Sequence, residues 1–283
     1  MGELMSGLEG KMARLLQHDS GGEAAEGGAV SAALYHLGSG GRRIRARLAV
    51  HASLSLGLSA ADALVLAAVV EFLHNASLVH HDLQDDELLR HGVPTVGVVF
   101  GTNIAICAGD LLLTAAYAAL GAISQKNLLS KLIALVHSAT ATAIRGQCAG
   151  FPNPEGSPMD PTVHRAVAAA KSGALLSLPM ELSFLAAGRT QWIPQARRAA
   201  EEFAVGYQIM DDVQDAASDG PLAVNLVSIL QASGHGENAP VSAHAMGLRH
   251  LRNAAELAGD LPDGAGDLLS YLAMTLCRQP SAE

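Results

Sequence analysis

Cysteine is scarce in this chain of 283 residues. There are three, Cys107, Cys148 and Cys277, scattered and odd in number. No CxxC pair and no Cys/His spacing suits zinc, so neither a disulfide framework nor a zinc site organises the protein. The thiols are expected to be reduced and mostly buried. Basic charge is also short. Eighteen Lys and Arg face 27 Asp and Glu, for a net charge of −9. That argues against a nucleic-acid partner, which needs a basic face. Any anionic substrate must therefore be met by a local basic patch. Long apolar runs are missing as well. The most apolar stretch, Ala63 to Val70, is far shorter than the roughly 20 residues a spanning helix needs. The start, MGELMSGLEGKMARLLQHD, has neither the basic leader nor the long apolar segment of a signal peptide. A soluble, cytoplasmic protein with no stable membrane anchor is expected. No segment alternates with the period of a strand, and no repeat of fixed period appears.

What is abundant is helix former. Apolar residues make up 49% of the chain and aromatics 4%. Ala, Leu and Val dominate, and Ala and Leu favour helix. The pattern predicts helices over Glu3–Gln17, Val30–Leu37 and Ala60–Leu83, with Ser59 as the N-cap of the last. The basic run RRIRAR opens another helix that continues through His51 to Leu56. Further helices are expected from Thr102 past Leu120, then over Leu128–Gly146, Thr162–Ala187 and Pro194–Asp215. Two or three weaker ones close the C-terminus, separated by a loop over Ser233–Ser242. Gly- and Pro-rich stretches at 18–28, Arg90–Gly97 and Phe151–Pro158 read as loops, the first of them flexible, and the chain turns again after Asp215 through SDGP. No linker separates two cores, so one all-α domain over 1–283 is the economical organisation.

Two acidic clusters interrupt this apolar pattern. HHDLQDDE carries Asp82, Asp85 and Asp86. MDDVQD carries Asp211, Asp212 and Asp215. Like charges at i,i+4 on a helix cost about 0.2–0.5 kcal/mol per pair. Asp82 and Asp86 share a helix face on this spacing, and so do Asp211 and Asp215. The first cluster also ends its helix, where the partial charge is already negative. A bound cation would repay both penalties. Hard oxygen donors without nearby cysteine favour Mg²⁺, and Mg²⁺ held by few carboxylates fills its shell with water and phosphate. Each cluster alone also reads as a solvated acidic turn; the second less so, because Gly206 to Met210 reads as buried sequence.

The basic patch that such a substrate requires is present. In GGRRIR, Gly40 to Arg45, two glycines free the backbone and three arginines follow. Arginine binds phosphate through a planar two-pronged donor set, and a helix N-terminus adds aligned N–H groups. Arg90 follows the first acidic cluster in a loop.

These segments together resemble the trans-isoprenyl diphosphate synthases of the polyprenyl synthetase family. GGRRIRA is similar to the family's GGKRxRP. HNASLVHHDLQDDELLRHGVPT is similar to HxxSLxHDDxxDxxxxRRGxPT. FGTNIAICAGDLLLTAAY resembles the helix that follows. KSGAL, Lys171 to Leu175, resembles KTxxL, and GYQIMDDVQD resembles FQxxDDxxD. The five occur in family order over about Leu34 to Asp219. The resemblance implies an isoprenoid synthase helical bundle with the two acidic motifs facing across a deep central cavity. It implies up to three Mg²⁺ bound with diphosphate, and condensation of isopentenyl diphosphate with an allylic prenyl diphosphate. Asp82, Asp85, Asp211, Asp212 and Asp215 stand at metal-motif positions, with Asp86 adjacent. Arg42, Arg45, His74 and His91 stand at isopentenyl diphosphate positions. Arg90, Lys171 and Gln208 stand on the allylic side. A homodimer is the family's usual assembly.

The chain departs from the pattern at several points. His81 occupies the first Asp position of the first motif, and imidazole is a poor Mg²⁺ ligand. His91 replaces an arginine and Ser172 a threonine. No lysine follows the second motif, and Asn225 falls near an expected Asp. Alternatives that these losses leave open are a low-activity partner or regulatory subunit of a heteromeric synthase, and a terpene cyclase on the same scaffold. A small residue, Ala76, stands where a bulky aromatic limits products to farnesyl length. Geranylgeranyl or longer products are therefore expected, with Phe72 or Leu73 as the next floor.

Overall fold

Ser59 starts the longest helix as its composition predicts. Its hydroxyl accepts the Asp62 backbone N–H at 3.1 Å, which satisfies a donor that the first turn leaves open. The helix, α4, runs Ala60–Gln84. A computed structural model describes residues 2–17, 28–151, 161–216 and 225–278. The expected loops at 18–28 and Phe151–Pro158, and the turn through SDGP, lie almost wholly outside the described residues.

The chain divides into two compact units, Met1–Ala134 and Leu135–Glu283. In the first, α1 (Gly2–Gln17), α2 (Ala29–Gly38), α3 (Ile44–Ser55) and α6 (Thr102–Leu120) accompany α4. Val65, Leu66, Val69, Val70, Phe72 and Leu73 of α4 are all buried. Apolar residues occupy most of the circumference of α4, so it packs as a central helix. Its neighbours in the core are α3 and α6.

Two boundaries differ from the sequence reading. The α3 helix begins at Ile44, so Arg42 and Arg43 precede it. The loop after α4 carries a two-residue antiparallel pair, β1 (Leu89–Arg90) and β2 (Val93–Pro94), and a short helix α5 already at Val96–Phe100. Segments this short have no alternating pattern to betray them.

α7 (Leu129–Ala149) crosses the boundary between units. The second unit continues with α8 (Pro161–Ala168), a π turn over Ala169–Gly173, then α9 (Ala174–Ala186) and α10 (Ile193–Asp215). α11 (Leu226–Leu230), α12 (Ala239–Gly259) and α13 (Asp267–Leu276) follow. α12 is not one of the weak closing helices expected. It has 21 residues and begins inside the stretch expected to be loop. It packs along α10 at a glycine crossing. A Cβ at Gly206 would stand 2.8 Å from Leu251 Cγ, and one at Gly247 3.0 Å from Met210 Sδ. Both glycines permit a helix approach that any side chain would block.

Three helices, Ala60–Gln84, Thr102–Leu120 and Lys126–Ala149, are long and apolar enough to cross a membrane by length and composition. The short run Ala63–Val70 therefore understated the apolar length of α4. In α4, 72% of the apolar window is buried inside the protein, which accounts for its composition by core packing.

Candidate active site

In the first unit the glycine–arginine loop is built by backbone conformations that few residues adopt. Gly40 has φ 95° and Gly41 φ 119°. Arg43 follows at φ 48°, an unusual value for a residue with a side chain. It is held there by its own guanidinium, which donates to Leu37 O at 2.5 Å and Glu71 Oε2 at 3.3 Å. Glu71, 1% exposed, also accepts the Ala46 N–H at 3.0 Å, and Asn75 donates to its backbone oxygen at 2.7 Å. Arg43 is thus the anchor of the loop, a role the sequence reading missed. Arg42 on its other side is exposed.

Arg45 and His74 are brought together as the resemblance implies, with Nη1 3.1 Å from His74 Nε2. Burial first, then the Arg45 charge, hold the His74 imidazole well below its ordinary pKa. A neutral ring can accept, and arginine can only donate, so Nε2 is the acceptor and Nδ1 carries the proton. His36, which the sequence reading also missed, lies 4% exposed. Burial and the charges of Arg43, Arg90 and His91 push its pKa down to about 4, against a weaker raising effect of a hydrogen bond with Asn75. A Cβ at Gly41 would meet His91 Cε1 at 3.6 Å. The 40–43 loop and the 90–92 turn therefore adjoin and gather arginine and histidine at one place.

The first acidic cluster does not continue as a helix face. α4 ends at Gln84, and Asp86 has φ 52°. The expected pairing of Asp82 and Asp86 on one face is therefore corrected: the helix stops before Asp86. Asp85 and Asp86 are exposed, while Asp82 is 3% exposed. Arg90 Nε donates to Asp82 Oδ1 at 2.8 Å, and Arg90 Nη2 donates to the same oxygen. The Glu87 N–H closes on Asp82 O at 2.9 Å, and Thr95 Oγ1 donates to Glu87 O at 2.9 Å. Asp82 Oδ2 is buried with no hydrogen-bond partner.

The second cluster, on α10, divides the same way. Asp211 and Asp215 are exposed; Asp212 is 5% exposed. Its Oδ1 accepts from Gln208 Nε2 at 2.9 Å and its Oδ2 from the Leu226 N–H at 2.9 Å. His164 Nε2 stands 3.0 Å from the same Oδ2. Asn225 donates to Asp212 O at 2.8 Å and accepts the Val227 N–H at 2.8 Å, capping α11. Lys171 sits in the π turn. A cavity of about 430 Å³ adjoins that turn, lined by Ala170, Ala174, Ser177 and Thr142 and reaching the Glu181–Arg197 ion pair.

Ala76, Phe72 and Leu73 are 3%, 0% and 2% exposed on α4. Among the described residues, no three His, Cys, Asp or Glu side chains gather into a metal cage. Mg²⁺ does not require one when substrate phosphate completes its shell. Exposed Asp85 and Asp86 in the first unit, and exposed Asp211 and Asp215 in the second, are hard oxygen donors whose chemistry suits Mg²⁺.

This is an all-α protein with an isoprenoid synthase fold. A geranylgeranyl pyrophosphate synthetase from Geoglobus acetivorans superposes with a TM-score of 0.87 over 99% of each chain at 20% identity. One from Pyrococcus horikoshii superposes with a TM-score of 0.82, also at 20% identity. At that identity the likeness bears on the fold. The family model for polyprenyl synthetase matches residues 29–222, and the chain belongs to the polyprenyl synthetase family. It is 32% identical to the farnesyl diphosphate synthase of Escherichia coli over 250 residues, 83% of this chain and 79% of that protein. It is 34% identical to the geranylgeranyl diphosphate synthase of Cyanophora paradoxa over 194 residues, 65% and 64% of the two. The match to the short chain isoprenyl diphosphate synthase of Methanothermobacter thermautotrophicus, at 29% identity, spans 56% of that protein.

Proposed function

We propose that the protein is a prenyltransferase that condenses isopentenyl diphosphate with an allylic prenyl diphosphate, giving an all-trans product of geranylgeranyl length or longer. The observation that carries this reading is the basic cluster of the first unit. A protein of net charge −9 gathers Arg42, Arg43, Arg45, Arg90 and His91 around two adjoining loops. Glu71 and Asp82 partner Arg43 and Arg90, and the cluster as a whole still carries more basic than acidic groups, which supports an anion site there.

In this reading Arg42, Arg45 and His74 bind the isopentenyl diphosphate. His74, kept neutral, orients Arg45 without adding charge. His91 serves the same group where an arginine would otherwise stand. Arg90, Lys171 and Gln208 serve the allylic diphosphate. Asp85, Asp86, Asp211 and Asp215 hold Mg²⁺ with the diphosphate, while buried Asp82 and Asp212 fix the segments that carry them. The metal supplies charge neutralisation of the departing diphosphate. The small Ala76 leaves room for a longer chain. The protein works as a homodimer in the cytoplasm.

The test is incubation of the purified protein with Mg²⁺, isopentenyl diphosphate and each of dimethylallyl, geranyl and farnesyl diphosphate, with product identification. Elongated prenyl diphosphates are expected. Hydrocarbon formed from an allylic diphosphate alone, or no turnover of any pair, overturns the reading.

A further inference from the structure

His164 bears on the second acidic motif without belonging to any motif in the sequence. It lies on α8, is 4% exposed and is not among the residues that line the cavity beside Lys171. Its Nε2 points at Asp212 Oδ2 at 3.0 Å. Asp212 is a junction. Its carboxylate and backbone oxygen accept from Gln208 on α10, from the Leu226 N–H at the start of α11, and from Asn225 just before it. His164 adds the only tie from α8 among the bonds described at this carboxylate.

The tie matters because of where it falls. The last turns of α10 hold Asp211, Asp212 and Asp215 at a helix C-terminus, where like charges and the helix dipole both work against them. An end so burdened frays unless something fixes it. α8 then leads, through the π turn, to Lys171. Lys171 lies seven positions after His164, roughly 10 Å along a helix. Bulges of this π type inside helices frequently mark functional positions. The helical run that anchors Asp212 is therefore the one that carries the proposed diphosphate donor.

We infer that His164 is a positioning residue: by bonding Asp212 it fixes the register between Lys171 and the exposed pair Asp211 and Asp215, and so shapes the metal-diphosphate end of the second unit. The inference rests on the proposed function for its chemistry. It predicts that loss of the His164 bond loosens the α10–α11 junction and weakens metal uptake with diphosphate. It further predicts that the isopentenyl side, built in the first unit, is spared.

The experiment uses the full chain with His164→Ala, His164→Gln and His164→Asn. A Gln amide nitrogen can reach the position of Nε2; that of Asn falls short. Two readouts are independent of turnover: hydrogen exchange at the Leu226 amide, and Mn²⁺ binding with inorganic diphosphate followed by electron paramagnetic resonance. Exchange at Leu226 is expected to rise in the Ala and Asn variants. The Mn²⁺ concentration for half-saturation is expected to rise about tenfold in them, the lower end of the effect of losing a residue that orients a metal ligand. Gln should preserve both, and the KM for isopentenyl diphosphate should stay close to wild type in all three. If Ala does not fold, Asn against Gln carries the comparison. Unchanged Leu226 exchange, or unchanged Mn²⁺ binding in Ala and Asn while the wild type binds, overturns this inference alone. A wild-type protein that takes up no Mn²⁺ with diphosphate overturns the proposed function and this inference together.

Discussion

Arg90 folds back across its own turn onto Asp82, donating from Nε at 2.8 Å and from Nη2 to a single carboxylate oxygen. Asp82 is buried and Arg90 only partly so. The pair closes the segment between α4 and the β1–β2 hairpin. Asp82→Asn keeps the shape and removes the charge. It is expected to lower stability by about 1–3 kcal/mol, since the partly buried Arg90 loses its charged partner at a buried position. Urea denaturation of the two proteins measures this. An unchanged midpoint would mean that the pair is dispensable for folding.

The two arginines that precede α3, Arg42 and Arg43, should separate by assay. Arg43 is bonded to Leu37 and Glu71, so Arg43→Ala leaves buried Glu71 without its cation. A loss of about 2–4 kcal/mol is expected. Arg42 is exposed, so Arg42→Ala should shift stability by less than about 0.5 kcal/mol while raising the KM for isopentenyl diphosphate. Denaturation and steady-state kinetics on both variants check the split. Equal loss of stability in the two would contradict the assignment of Arg43 as the anchor.

Acid should destabilise the first unit through its histidines. The folded pKa of His36 is about 4 against 6.5 for the free side chain. Between those values the unfolded chain binds the extra proton, so stability is full above pH 6.5 and falls as pH drops towards 4. The shift corresponds to about 3 kcal/mol. His74 is lowered too and acts in the same direction. Denaturation midpoints at pH 7, 5.5 and 4.5 should show the fall, and His36→Gln should make it shallower. A slope identical to wild type in that variant would rule His36 out as a cause.

Restoring the carboxylate at the first motif position should help the metal. His81→Asp is expected to lower the Mg²⁺ concentration for half-maximal turnover, because oxygen replaces imidazole beside a hard cation. A Mg²⁺ titration of activity in wild type and variant decides it. No change would show that Asp85 and Asp86 suffice.

Ala76 is 3% exposed on α4, one turn from fully buried Phe72. Ala76→Phe should shorten the product if the chain runs past this face. Chromatography of products from farnesyl diphosphate and isopentenyl diphosphate reads the change. Products of unchanged length would remove Ala76 from the tunnel.

Most of the helices could be read from the sequence. α4 was expected over Ala60–Leu83 and runs Ala60–Gln84; α10 was expected from Pro194 and starts at Ile193. Caps and apolar periodicity are local signals, so they survive in one dimension. The positions of both acidic motifs and of the glycine–arginine loop were legible for the same reason, each being carried by a short pattern; Arg45 and His74, 29 positions apart, were grouped only by the family resemblance. The reach of α12 was not, because its first turn lies in a stretch rich in Gly, His and Asn.

Only the tertiary structure assigned roles within those patterns. In GGRRIR the three arginines look equivalent, yet Arg43 turns inward to Glu71, a residue 28 positions away. In each acidic motif one aspartate, Asp82 or Asp212, is buried and bonded through its carboxylate, and its aspartate neighbours are exposed. His36 and His164 belong to no motif, and their surroundings come from other segments of the chain. The reason is physical. Which side chain is desolvated, and what then compensates it, depends on atoms brought together by folding from distant positions, and spacing along the chain carries no record of them.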